Sequence, residues 1–157
     1  LFFMFVGSGM REGELFGLYK EDFDFENKVI NVCRQYTNGE QKNSPKTASS
    51  NRQVYLFPYL ADLLKEYIDK DKLDTPLVFH NSVGKHLNPS NVRNRWWNKL
   101  LKAAGYPDYY ARMHDLRGSN TDLTFTLGLS VSFAQEQLGH SSAKTTLDKC
   151  LKFLRNK

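Results

Sequence analysis

Apolar positions change period several times along the chain. Residues 1–6 of "LFFMFVGSGM" form an unbroken apolar run, and Gly7, Ser8 and Gly9 then interrupt it, which predicts a buried helix ending at the glycines. "MREGELFGLY" resumes helical spacing, with Met10, Leu15, Leu18 and Tyr19 apolar. "DFDFENKVINVCRQY" alternates at the period of a strand, and Asn38-Gly39 is a hairpin-turn pair. "RQVYLF", after the polar "KNSPKTASSN", reads as a second strand.

From there the period is helical. Leu60, Leu63, Leu64, Tyr67 and Ile68 share one face of "YLADLLKEYIDK". "NPSNVRNRWWNKLLKAAG" offers Asn88 as cap, Pro89 at the first helical position and Gly105 as stop. Its adjacent Trp96 and Trp97 diverge by about 100°, so one of them is expected half-exposed. "MHDLRGSNTDLTFTLG" follows, then "SFAQEQLG", with a Ser132/Gln135 capping box and a stop at Gly139. "TTLDKCLKFLRNK" closes the chain behind a weaker Thr145/Asp148 box. The fold class expected is mainly α with a small antiparallel β-sheet near the beginning (α+β).

Composition narrows the function classes. At 157 residues, with 40% hydrophobic and 25% charged residues, the chain suits one globular domain with a real core. The 22 Lys+Arg against 17 Asp+Glu leave a net charge of +5, which favours an anionic partner. Cys33 and Cys150 are too few for a disulfide framework or a zinc site. The apolar opening lacks a basic leader and is too short to span a bilayer, so a cytoplasmic setting without membrane contact is expected. A chain that starts inside a hydrophobic helix, without a cap, reads as a piece cut from a longer protein.

Arg11, Lys46, His114, Arg117 and His140 stand out as candidate chemistry. Singly, each has an ordinary reading: Arg11 as a surface ion pair, Lys46 as a solvated turn residue, His114 and Arg117 as a helix-face cluster, His140 as a helix cap. Together they are what phosphoryl transfer without a metal or cofactor requires. Guanidinium forks hold the non-bridging oxygens, which gain negative charge in the transition state. A lysine can protonate the departing 5′ oxygen, and histidines can exchange protons with the attacking group. Arg93, Arg95 and Lys99 on one helix, with Lys42 and Arg52 flanking the hairpin, are candidate contacts to further phosphates.

Four motifs carry a resemblance. "SGMREGELFGL", "PKTASSNRQVYL", "HDLR" and "LGHSSAKTTLDKC" occur in the order and spacing of the tyrosine recombinases, the phage and transposon integrase family. The resemblance covers nearly the whole chain. It implies a catalytic domain with the DNA breaking-rejoining fold, spanning residues 1–157 without the N-terminal core-binding domain. Such a domain cuts and rejoins double-stranded DNA at attachment-type sites through a covalent 3′-phosphotyrosine. By position, Arg11 and Arg117 would grip the scissile phosphate and Lys46 would be the general acid. His114 would act as acid or base, His140 would hydrogen-bond the phosphate, and Glu14 would be structural. Family members commonly act as four protomers on DNA; a monomer is expected without it.

Two positions depart from the pattern. Gly118 follows Arg117 and costs roughly 1 kcal/mol relative to Ala inside a helix, which loosens the segment holding His114 and Arg117. Cys150 stands where the nucleophilic tyrosine belongs. Its thiol ionises more readily, near pKa 8.5 against about 10. Its sulfur lies only about 2.8 Å from Cα, whereas a tyrosine hydroxyl lies roughly 6.5 Å away. It would fall nearly 4 Å short, while attack needs atoms about 3–3.5 Å apart. An inert cysteine on the apolar stripe of Leu147, Leu151 and Leu154 is the first expectation. A thiol nucleophile is the second, and rescue by another tyrosine such as Tyr109 or Tyr110 the third. Three functions stand: a cleavage-impaired recombinase domain, a non-enzymatic DNA-binding protein derived from one, and a type IB topoisomerase-like enzyme.

Overall fold

The computed structural model describes residues 1–42, 51–108, 110–140, 142, 144–148 and 151. Helix α1 (Phe2–Ser8) buries Met4 and Phe5 and ends at Gly9, whose φ of 64° turns the chain left-handed. Helix α2 (Glu12–Phe16) follows and buries Leu15 and Phe16. A 3₁₀ turn (Lys20–Asp22) then leads into β1 (Phe23–Asp24) and β2 (Val29–Val32).

Residues 23–36 are not one strand. Asp24 accepts a hydrogen bond from the Asn27 backbone N–H at 2.9 Å, and Lys28 takes a φ of 55°, so the chain folds back between β1 and β2. On β2, Ile30 and Val32 face the core while Asn31 faces outward. Strand β5 (Arg52–Tyr55) pairs antiparallel with β2, placing Arg52 opposite Val32, and the sheet order is β1-β2-β5. Strands β3 (Gln35–Thr37) and β4 (Glu40–Lys42) form a separate hairpin about Asn38-Gly39. Both turn residues have positive φ, 56° and 84°, as a primed turn requires. The single sheet expected from the pattern is thus two small antiparallel sheets.

The hairpin lies very close to α2. A Cβ added at Gly13 would stand 2.9 Å from the Tyr36 carbonyl oxygen, and one at Gly17 equally close to the Gln35 carbonyl carbon. The two glycines leave room for this backbone-on-helix contact.

Helix α3 (Pro58–Asp69) buries Leu60, Ala61 and Leu64, with Ile68 half-buried and Tyr67 at the rim against Phe79. Next, α4 (Pro89–Asn91), a π-helical stretch (Val92–Trp97) and α5 (Asn98–Ala103) run on as one helix. Asn88 caps it by accepting from the Asn91 N–H. Trp97 turns inward and its indole donates to the Ala111 carbonyl at 2.6 Å, while Trp96 is left 48% exposed.

Helix α6 (Met113–Thr126) packs along α1 and continues unbroken through Gly118. Helix α7 (Val131–Leu138) begins at Ser130, not at the Ser132/Gln135 box. Ser130 is extended and accepts from the Phe133 N–H at 3.0 Å, while Ser132 already lies inside the first turn. The helical residues 144–148 start before the expected Thr145 cap, with the Ser142 hydroxyl accepting from the Lys144 N–H. Among the described residues no helix is long and apolar enough to cross a membrane.

Candidate functional site

The C-terminus of α7 organises the site. An α-helix leaves its last carbonyls without intrahelical partners. Here Gly139 takes a left-handed φ of 61°, so Gln137, Leu138 and Gly139 present their carbonyls to three different side chains. The Arg52 Nε donates to Gln137 O at 3.2 Å. An Arg117 guanidinium nitrogen donates to Leu138 O at 2.5 Å. Arg11 donates to Gly139 O at 2.9 Å. Three arginines distant in sequence are thereby aligned along one helix end, immediately before His140.

Each arginine comes from a different element. Arg11 precedes α2, where Glu14 closes the first turn by accepting from the Arg11 N–H at 2.8 Å. The Glu14 carboxylate also accepts from the Arg11 guanidinium at 2.7 Å and from both Arg52 Nη atoms at 3.0 Å. Arg117, 3% exposed, projects from α6 and also donates to the Gly9 carbonyl at the end of α1. The negative ends of the α1 and α7 dipoles therefore meet at this guanidinium and offset part of the cost of burying it.

The cluster is over-charged. Burial alone would push the Glu14 carboxyl up, but the hydrogen bond and charge of Arg52, then the bonds from Arg11, bring it down to about 2. Burial, then the charge of Arg11, pull Arg117 down to about 10, with Arg52 adding to the effect. Three guanidiniums share one carboxylate, and the balance of such a site favours an added anion.

His140 is half-buried beside this row, its Nδ1 2.9 Å from the hydroxyl of buried Thr146. Arg52, Gln135, Glu136, Gly139 and His140 line a cleft of about 410 Å³ beside the row. His114 lies exposed in the first turn of α6, one turn before Arg117. Arg11, Arg117 and His140 are thus brought together. Lys46, Cys150 and Tyr109 lie outside the described residues. Tyr110 is exposed and stacks on Tyr106 with centroids 4.5 Å apart.

The expected backbone contacts divide. Arg95 and Lys99 are exposed on the long helix, and Lys42 is exposed beside Glu40 at 3.9 Å. Arg93 is exposed but holds Glu12 at 3.3 Å. Arg52 has a different place from the surface position expected for it. Its side chain is 7% exposed and three of its five N–H groups bond Glu14 and Gln137, so it is turned into the cluster and away from the surface.

Two supporting residues were not singled out by the sequence. Gln137 is buried and acts as a surrogate strand on the free edge of β5. Its Oε1 accepts from the Tyr55 N–H at 2.9 Å and its Nε2 donates to Tyr55 O at 2.8 Å. Asn120 donates to Val6 O at 2.8 Å and ties α6 to the end of α1. The available signal was a polar residue on an apolar face: Gln137 sits three places after buried Ala134 and next to buried Leu138.

Residues 1–149 match the model of the phage integrase family. The chain belongs to that family. It is 30% identical over 171 residues to a XerC-like tyrosine recombinase of Caldanaerobacter subterraneus subsp. tengcongensis, covering 93% of this chain and 43% of the relative. It is 33% identical over 147 residues to the putative prophage phiRv2 integrase of Mycobacterium tuberculosis, covering 88% of this chain and 38% of that protein. It spans less than half the length of these relatives. Among solved structures, the Tn1549 transposon integrase in complex with a circular intermediate DNA superposes with a TM-score of 0.80 at 22% identity, over 94% of this chain and 52% of that one. The integrase family's catalytic-domain fold is therefore the fold of this chain.

Proposed function

We propose that this chain is the catalytic domain of a site-specific DNA recombinase, that Arg11 and Arg117 hold the scissile phosphate, and that cleavage is impaired because Cys150 occupies the nucleophile position. The observation that carries the reading is the row of three arginines on the α7 carbonyls beside His140, two of them bonded to the same carboxylate. A phosphodiester supplies the missing negative charge, and the fixed guanidiniums need little reorganisation as charge develops on its oxygens. In this reading His140 hydrogen-bonds the phosphate, Lys46 protonates the departing 5′ oxygen and His114 exchanges a proton with the attacking group. The partner is duplex DNA carrying an attachment-type site. The protein is a monomer alone and a tetramer on that DNA.

With a thiol about 4 Å shorter in reach than a phenol, the phosphate is held but not attacked. The test uses suicide duplexes, nicked so that cleavage is irreversible and drawn from the attachment sites of the host element. The chain as given is run beside Cys150→Tyr, and adducts are read by denaturing electrophoresis. An adduct with Cys150→Tyr alone is the expected result. Adducts with neither version sink the recombinase reading, and an adduct of the parent that Cys150→Ser abolishes sinks the inert-cysteine reading.

A second reading, a DNA-binding protein that does not cut, is favoured by Cys150 itself. Site-selective DNA binding without any adduct, even from Cys150→Tyr, would establish it.

A further inference from the structure

We infer that Arg52 is a positioning residue for the phosphate site, a buried cation that never touches the phosphate but sets where Arg11 and His140 stand. The inference rests on the phosphate-site reading above and adds a role to a residue expected at the DNA surface.

Arg52 occupies the first position of β5, and its side chain links three separate segments. Its two Nη atoms hold both Glu14 oxygens, the bidentate geometry a guanidinium plane imposes. Its Nε holds Gln137 O at the end of α7. Its Cζ lies against Gly139, where an added Cβ would come within 2.8 Å. Glu14 in turn orients Arg11 through two bonds, and Gly139 both receives Arg11 and precedes His140. Arg11 and His140 are therefore both placed through Arg52. The carboxylate that clamps Arg11 stays ionised while buried chiefly because Arg52 is beside it.

Lysine at this position keeps one charge but loses the planar fork that bonds Glu14 and Gln137 together. Glu14 then stays desolvated with a weaker partner and binds a proton in mildly acidic solution, releasing Arg11. The predicted signature is a loss of anion affinity on acidification in the variant alone, opposite in sign to whatever gain the protonation of His140 brings to parent and variant alike.

The experiment titrates sulfate, whose charge is constant above pH 4, into the parent, Arg52→Lys and Gly139→Ala. Side-chain NMR of His140 and of the arginine Nε groups reports binding, and thermal melts confirm that each variant is folded. Sulfate affinity is expected to fall at least 5-fold in both variants at pH 7. In Arg52→Lys it should fall further between pH 6 and 4, a limb that mere loosening of the fold would not produce. The slope of log affinity against log salt on a 30-bp random-sequence duplex should stay unchanged in Arg52→Lys, because Arg52 itself neutralises no backbone phosphate. If the parent binds sulfate and Arg52→Lys binds it equally with the same pH profile, the positioning role is overturned. So it is if Arg52→Lys chiefly weakens duplex binding and its salt dependence, the mark of a direct backbone contact. If the parent itself does not bind sulfate, the phosphate-site reading falls and the positioning role falls with it.

Discussion

Glu14 is the residue on which the site's electrostatics turn. Its side chain is 5% exposed and is the carboxylate bonded by both Arg11 and Arg52. Its folded pKa of about 2 lies below the ordinary 4.5, a difference worth on the order of 3 kcal/mol. Because the folded value is the lower one, this stability is fully present above about pH 4.5 and is lost as pH falls toward 2. Glu14→Gln should remove that limb from the pH dependence of urea unfolding. It should also lower stability at pH 7 by about 3–5 kcal/mol, because it leaves buried guanidiniums facing one another uncompensated. Equal acid sensitivity in parent and variant would show that Glu14 does not carry the effect.

Helices and turns were legible where a local rule sets them, and the site's supports were not. The Asn38-Gly39 hairpin, the Asn88 cap and the Gly139 stop follow from backbone preferences that act within a few residues. The fold-back that divides residues 23–32 into β1 and β2 turns on two Asp24–Asn27 hydrogen bonds and the left-handed Lys28, too small a signal against strong alternation. Arg11, Arg117 and His140 were legible as a constellation by resemblance. Arg52 and Gln137 were not, because their partners lie 85 and 82 residues away in the chain and no local pattern announces such pairs.

Two glycines make the contrast at the scale of elements quantitative. Gly118 lies mid-helix in α6 and an added Cβ there meets nothing within 4 Å, so Gly118→Ala should stabilise the protein by about 0.5–1 kcal/mol. Gly17 meets the β3 backbone at 2.9 Å, so Gly17→Ala should destabilise by about 1–3 kcal/mol through displacement of the hairpin from α2. Thermal melts of the two variants should therefore move in opposite directions. A shift of the same sign in both would refute the packing described for one of them.

At the scale of the whole molecule, cations are used in two ways. Arg11, Arg52 and Arg117 are fixed by carbonyls and a carboxylate, whereas Arg95 and Lys99 stand exposed on one helix. On the DNA reading only the second kind releases counterions freely along the backbone, and each phosphate neutralised adds about 0.9 to the slope of log K against log salt. Arg95→Gln and Lys99→Gln should each reduce that slope by about 1 on a random-sequence duplex. Arg93→Gln should reduce it less, because Glu12 already holds the Arg93 guanidinium at 3.3 Å. Burial raises the Glu12 carboxyl against the opposing charge of Arg93, so this pair is an imperfect one and a phosphate can compete for the arginine. Glu12→Gln should therefore tighten duplex binding and steepen the slope, and combining it with Arg93→Gln should abolish the gain. If Glu12→Gln leaves both affinity and slope unchanged, Arg93 does not face the DNA, and the docking surface must lie away from the start of the long helix.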